Sequence, residues 1–134
     1  MGLTHVTASI INPANPKKKA KADFLVDSGA VYTVAPAHIL KRLGIKPHSS
    51  RVFTLADGTQ ITRRLGDAIF AINLTRPPQA RQDALLPRGH RAASPVIFGE
   101  KGDSLLFGTV SLEALGFILD PMKRRLRRLP MVLG

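Results

Sequence analysis

A chain of 134 residues is long enough for one domain that buries about two thirds of its unfolded surface, and too short for two lobes of comparable size. The absence of cysteine excludes a disulfide scaffold, a thiol nucleophile and a cysteine-based zinc site. Twenty Lys and Arg against nine Asp and Glu leave a net charge of +11, which raises nucleic acid or another acidic surface as a partner.

The start, Met1-Gly2-Leu3-Thr4-His5-Val6, has no basic stretch and no apolar run of the length a signal peptide or membrane span needs. Val6 stands where a myristoylation signal carries Ser or Thr. The expectation is a cytoplasmic protein without a membrane partner. Leu3 to Ile11 reads as a first strand. Asn12-Pro13-Ala14-Asn15-Pro16, with Lys17, Lys18, Lys19 and Lys21 behind it, reads as a turn, and Ala22 to Val26 as the returning strand.

That strand runs through Phe24-Leu25-Val26 directly into Asp27-Ser28-Gly29-Ala30. One carboxylate is thereby delivered to a tight turn at the end of an apolar strand, beside a residue with no side chain. A carboxylate that shares a proton with a second one needs low dielectric, a fixed backbone and a small neighbour. Asp-Ser-Gly is also an ordinary turn sequence, so the tetrapeptide alone leaves both readings open.

After Val31-Tyr32-Thr33-Val34, Pro36 marks the first position of a short helix and Gly44 lies just past its end, with Ile39, Leu40 and Leu43 on its apolar face. Arg51 to Leu55 and Thr59 to Leu65 flank Ala56-Asp57-Gly58, an Asp-Gly hairpin signal. Asp67 to Leu74 is a further strand, with Ala68-Ile69-Phe70-Ala71-Ile72 as its apolar run. Residues 74–88, with three prolines and three arginines and no period, read as a loop insertion.

Gly89 to Gly99 reads as a strand and turn. Ser104-Leu105-Leu106-Phe107-Gly108 is an apolar run closed by glycine, followed by a helix capped by Thr109 or Ser111 and ended by Gly116. Phe117-Ile118-Leu119, the Asp120-Pro121 turn, Leu126 and Leu129 to Leu133 suggest a strand and its return, with Lys123, Arg124, Arg125, Arg127 and Arg128 crowding the turn.

Taken together, Leu-Val-Asp-Ser-Gly-Ala, the hairpin and Leu-Leu-Phe-Gly in this order resemble the retropepsin-like aspartic proteases, and most closely their small single-domain bacterial and archaeal members. The resemblance implies a mainly β fold over residues 1–134, a closed acid-protease barrel with one or two short helices. It implies a homodimer, since the motif occurs once and the chemistry needs two carboxylates. Asp27 is then the catalytic residue, with Ser28, Gly29 and Ala30 supporting the dyad and the substrate backbone. Ala56, Asp57 and Gly58 become the tip of a flap, and Leu106, Phe107 and Gly108 the element that props the motif from behind. Met131-Val132-Leu133 would then pair across the dimer axis, with its mate or with the amino terminus; the alternative for this segment is a frayed tail. Val31 and Tyr32 replace acidic residues of the viral enzymes, and Thr109 replaces their arginine.

The expected function is peptide-bond hydrolysis by water activated between two Asp27 carboxylates, with no metal and no cofactor and a peptide or protein as substrate. The alternative is a catalytically silent module of the same fold whose basic surface meets nucleic acid. One Tyr, no Trp and no aromatic within the basic runs argue against base stacking, so nucleic acid is not the favoured partner. His5, His38, His48 and His90 form no i, i+4 metal pair, and neither a Gly-x-Ser-x-Gly elbow nor a phosphate-binding glycine loop is present. Asp57, Asp103 and Asp120 sit in turn contexts and read as structural.

Overall fold

The computed structural model describes residues 4–72, 90–120, 122 and 125–128. It is mainly β, with 60% strand and 13% helix, as the alternating apolar pattern predicts. The elements in chain order are β1 (Thr4–Asn12), β2 (Asn15–Val26), β3 (Thr33–Pro36), α1 (Ala37–Arg42), β4 (Ser49–Thr54), β5 (Gln60–Ile72), β6 (His90–Gly99), β7 (Leu106–Phe107), α2 (Thr109–Leu115), β8 (Phe117–Asp120) and β9 (Arg125–Arg128).

Seven strands follow the order β1-β2-β7-β3-β6-β5-β4, and β1 also pairs with β5. Six of them therefore close into a ring, and β4 hangs from β5 outside it. Most pairings are antiparallel; β2 with β7 and β3 with β6 are parallel. The two-residue β7 is wedged between β2 and β3, where Leu106 pairs with both Leu25 and Val34. β8 and β9 form a separate two-stranded sheet.

The ring encloses one apolar core, because every second residue of its strands points inward. Val6, Ala8 and Ile10 of β1 meet Phe24 and Val26 of β2, Phe70 and Ile72 of β5, and Val96 and Phe98 of β6. At its centre Phe24, Phe70 and Phe107 are fully buried. Their rings meet edge to face at 5.5 to 6.1 Å, each pair stabilising by about 0.5–1.5 kcal/mol beyond its buried area. Phe24 lies three residues before Asp27, so the strand that enters this aromatic cluster runs on into the motif turn.

Several sequence expectations are corrected. The lysines of the first hairpin are not in its turn: only Pro13 and Ala14 turn, and Lys17, Lys18, Lys19 and Lys21 lie within β2. The ladder with β1 extends from Val26 to Asn15 because Ala20 and Ala22 continue the inward alternation of Phe24 and Val26. The two strands expected at Thr59–Leu65 and Asp67–Leu74 are one, β5, continuous through Gly66. Pro36 ends β3 and occupies the N-cap of α1 instead of its first turn. Arg125, Arg127 and Arg128 form β9 and do not belong to the turn before it. Gly44 and Gly116 do end their helices, both at positive φ (79° and 88°). The insertion at 74–88 and the segment Met131-Val132-Leu133 lie outside the described residues.

Candidate active site

β2 delivers Asp27 into a turn that the backbone holds at both ends. The Asp27 N–H donates to the Phe107 carbonyl at 3.3 Å, and the Ala30 N–H closes the turn onto the Asp27 carbonyl at 3.1 Å. The Gly29 N–H donates to Asp27 Oδ1 at 2.8 Å, fixing the carboxylate against its own turn. A Cβ on Gly29 would stand 3.2 Å from that oxygen, a tight approach that the carboxylate would ease only by shifting a few tenths of an ångström. Among the described residues Oδ2 has no hydrogen-bond partner. Asp27 is half-buried, and Ser28 is exposed.

The chain leaving the turn is clamped to the start of α2. The Thr109 N–H donates to Ala30 O at 2.9 Å and the Val110 N–H to Val31 O at 3.1 Å. Amides that a helix start leaves without intrahelical partners thus hold the motif loop. Gly108 is the N-cap, and neither Thr109 nor Ser111 caps the helix with its side chain, contrary to expectation. The reason is proximity: a Cβ on Gly108 would fall 2.5 Å from Val31 O and from Tyr32 C, so only glycine lets these two backbones touch.

Ser111 instead turns inward. Buried Thr33, Ser94 and Ser111 form a hydroxyl chain, with Ser111 Oγ 2.6 Å from both Thr33 Oγ1 and Ser94 Oγ. The Gly108 N–H donates to Thr33 Oγ1 at 3.0 Å, and Ser94 Oγ donates to Pro95 O at 3.0 Å. These two ends leave one consistent direction: Thr33 donates to Ser111 and Ser111 to Ser94. Every hydroxyl proton is used, which burial requires.

In front of the motif lies a groove of about 660 Å³. Gly29, Ala30, Val31, Tyr32 and Val34 form one wall, Leu106 and Ile97 the floor, and Phe53, Leu55 and Ile61 of the β4–β5 hairpin the other side. Asp27 does not line this groove itself, but its turn neighbours Gly29 and Ala30 do, and Arg63 and Asp103 add a charged pair to the lining. Of the four large apolar side chains left exposed among the described residues, Val31, Val52 and Leu55 belong to this loop and this hairpin. Ser28 faces a second, smaller hollow of about 130 Å³, walled by Leu112, Phe117 and Leu119.

The hairpin is tied down twice. Arg51 Nη1 donates to the Tyr32 hydroxyl at 2.6 Å with its guanidinium 5.7 Å from the Tyr32 ring centre, and Phe53 meets that ring edge-on at 6.2 Å. Farther along, Arg63 donates two bonds to Asp103, at 2.7 and 3.0 Å, and approaches Glu100 at 3.7 Å. The Arg63 hydrogen bonds hold the Asp103 carboxyl below the usual carboxylate range, and the same bonds raise the Arg63 guanidinium. At the tip, the Thr59 N–H donates to Asp57 Oδ1 at 2.8 Å and lowers the Asp57 carboxyl.

The structure therefore brings Gly29, Ala30 and Leu106 to one groove, places Phe107 under the Asp27 turn and Gly108 behind it, and leaves Ala56, Asp57 and Gly58 exposed at the hairpin tip, with Thr54 and Leu55 reaching the groove instead. Sequence reading did not find the Tyr32–Arg51 and Arg63–Asp103 ties. Arg63 had a signal: it interrupts the alternation Ile61-x-Arg63-x-Leu65 on a strand face that is otherwise apolar, where a guanidinium needs an acid. Among the described residues no three His, Asp or Glu side chains gather closely enough to share a metal ion, and no helix is long and apolar enough to cross a membrane. No protein-family model and no curated protein matches the chain.

Proposed function

We propose that the chain is one half of an aspartic endopeptidase, a homodimer of retropepsin-like barrels whose two Asp27 carboxylates meet across a twofold axis. The observation that carries this reading is the Asp27 turn itself. One oxygen is fixed by the Gly29 amide, the other has no partner among the described residues, and a largely apolar groove is lined by its turn neighbours Gly29 and Ala30 and by the β4–β5 hairpin. An isolated structural Asp at a strand end needs neither the groove nor the clamp of α2 amides behind its loop.

The chemistry follows from pairing. Two carboxylates about 3 Å apart repel by about 5 kcal/mol at an effective dielectric near 20, so only one ionises at moderate pH. The ionised Asp27 takes a proton from a bound water, and the protonated Asp27 of the other protomer donates to the scissile carbonyl. The product is a tetrahedral diol, with no covalent enzyme intermediate. Which protomer holds the shared proton is a property of the pair. Ser28 bonds across the axis and locks the two turns. The substrate lies extended in the groove with alternate side chains against Val34, Ile97 and Leu106, and the hairpin excludes water above it.

Cleavage of a peptide library between about pH 4 and 7, with the native chain and Asp27→Asn at the same dimer content, tests this. Native cleavage that vanishes in Asp27→Asn supports it. Cleavage surviving in Asp27→Asn removes Asp27 from the mechanism, and silence of a dimeric native sample leaves the fold as a binding module.

A further inference from the structure

We infer that the edge formed by the β1–β2 hairpin and the end of α1 is a docking surface for the phosphate backbone of a nucleic acid. Because Ala20, Ala22, Phe24 and Val26 of β2 face the core, Lys17, Lys19 and Lys21 project from the opposite side, and all three are exposed. Successive members of this row stand about 6.7 Å apart along the strand. Across the ladder Lys21 faces Ser9 and Lys19 faces Ile11, not acids, and the register shifts before Lys17.

Lys18 points the other way and extends the surface. A Cβ on Gly44 would lie 3.5 Å from Lys18 Nζ and 3.8 Å from its Cδ, and Asn12 donates to Leu43 O at 2.8 Å. The hairpin end is thus seated on the end of α1, whose last turn carries exposed Lys41 and Arg42, with exposed Lys46 just beyond. Seven cations thus flank the hairpin end, Lys17, Lys19 and Lys21 on one face of β2 and Lys18 with Lys41, Arg42 and Lys46 towards α1.

Most of the acids are engaged elsewhere: Asp103 and Glu100 face Arg63, and Asp67 faces His48. Asp23, next in the row after Lys21, accepts from the neutral Thr7 hydroxyl and keeps its charge, so one negative charge stands at the far end of the row. Among the described residues no carboxylate comes within ion-pair distance of any of the seven. A surface with this excess gains by releasing the counterions of a polyanion. None of the seven has an aromatic beside it to stack on a base, and Tyr32 is engaged with Arg51 and Phe53 at the groove. The ligand read here is therefore the backbone, independent of sequence. None of the seven lines the groove beside Asp27, so docking and peptide binding are separate events.

The test is fluorescence anisotropy of the full chain with a labelled DNA duplex and a labelled homopolymeric RNA strand, between about 50 and 200 mM salt. Lys17→Gln/Lys19→Gln/Lys21→Gln is compared with Lys101→Gln/Arg127→Gln/Arg128→Gln, which removes the same charge from other exposed positions. Lys41→Gln/Arg42→Gln/Lys46→Gln probes the same surface from the helix side. The expected result is binding whose salt slope falls by about three in each of the two edge variants, with at least about tenfold lower affinity, while the control loses less than about threefold. Equal losses in edge and control variants overturn the assignment, because net charge alone then explains the binding. Absence of nucleic-acid binding at the lowest salt also overturns it, as does retention of poly-glutamate alone, which would make the partner an acidic protein. The assay involves no cleavage, so its failure and that of the peptidase reading are told apart.

Discussion

Arg51 on β4 and Tyr32 on the motif loop are joined twice, by a 2.6 Å hydrogen bond to the hydroxyl and by the guanidinium over the ring. The hairpin that lines one side of the groove is thereby held by the loop that follows Asp27, so the two sides move together or separate at this contact.

Tyr32→Phe removes the hydrogen bond and keeps the ring. A net loss of about 0.5–1.5 kcal/mol translates into roughly 2- to 12-fold faster amide exchange in residues 49–61. Global stability changes by no more than that amount, because the contact is partly exposed. Hydrogen exchange read by mass spectrometry separates the two effects, and unchanged exchange in the hairpin would dismiss the contact as a latch.

Gly108→Ala drives a methyl group to 2.5 Å from the Val31 and Tyr32 backbone, where no flexible side chain can give way. The expected cost exceeds about 3 kcal/mol in urea denaturation. Gly102→Ala is the control: nothing lies within 4 Å of its added Cβ, and its φ of +92° leaves only backbone strain, about 1–2 kcal/mol.

Thr33→Val strands the buried Gly108 N–H and removes the donor to Ser111. A loss of about 1–3 kcal/mol is expected. Ser111→Ala breaks the same chain at its middle, so the double variant should lose less than the sum, by at least about 0.5 kcal/mol. Strict additivity in denaturant melts would show that the three hydroxyls do not act as a chain.

Asp103 binds its proton less readily folded than unfolded, because protonation costs it the Arg63 hydrogen bonds. Between the folded value and the unfolded one, near 3.9, the unfolded chain carries more protons, and stability rises with pH. The contribution is full above the unfolded value and is lost as pH falls through the lowered folded one. Arg63→Gln should flatten this acid limb of a thermal-midpoint profile. The fully exposed Asp57 shifts in the same direction, and Asp57→Asn should leave the limb nearly unchanged.

What the sequence discloses and what it conceals differ by range. The Asp27 turn, the Ala56-Asp57-Gly58 hairpin and Leu106-Phe107-Gly108 are visible because turn formers and an apolar run mark them locally. That Phe107 rests against Phe24 and that Ser111 joins Thr33, 78 residues away, depend on which strands neighbour one another, and periodicity does not encode this. The hydroxyls of Thr109 and Ser111 both suit a helix start, but neither caps it, because burial of the helix face turns Ser111 to Thr33 and Ser94. The lysines behind Pro16 look like a loop by composition, yet Ala20 and Ala22 opposite Ala8 and Ile10 keep the ladder running.

Mixing native chain with Asp27→Asn in varying ratio, at fixed total concentration and with free exchange of protomers, tests the paired carboxylates most directly. If both Asp27 side chains are required, peptide cleavage falls with the square of the native fraction, to about a quarter in an equal mixture. A linear fall, to about half, would mean that each protomer works alone and would contradict the shared acid pair.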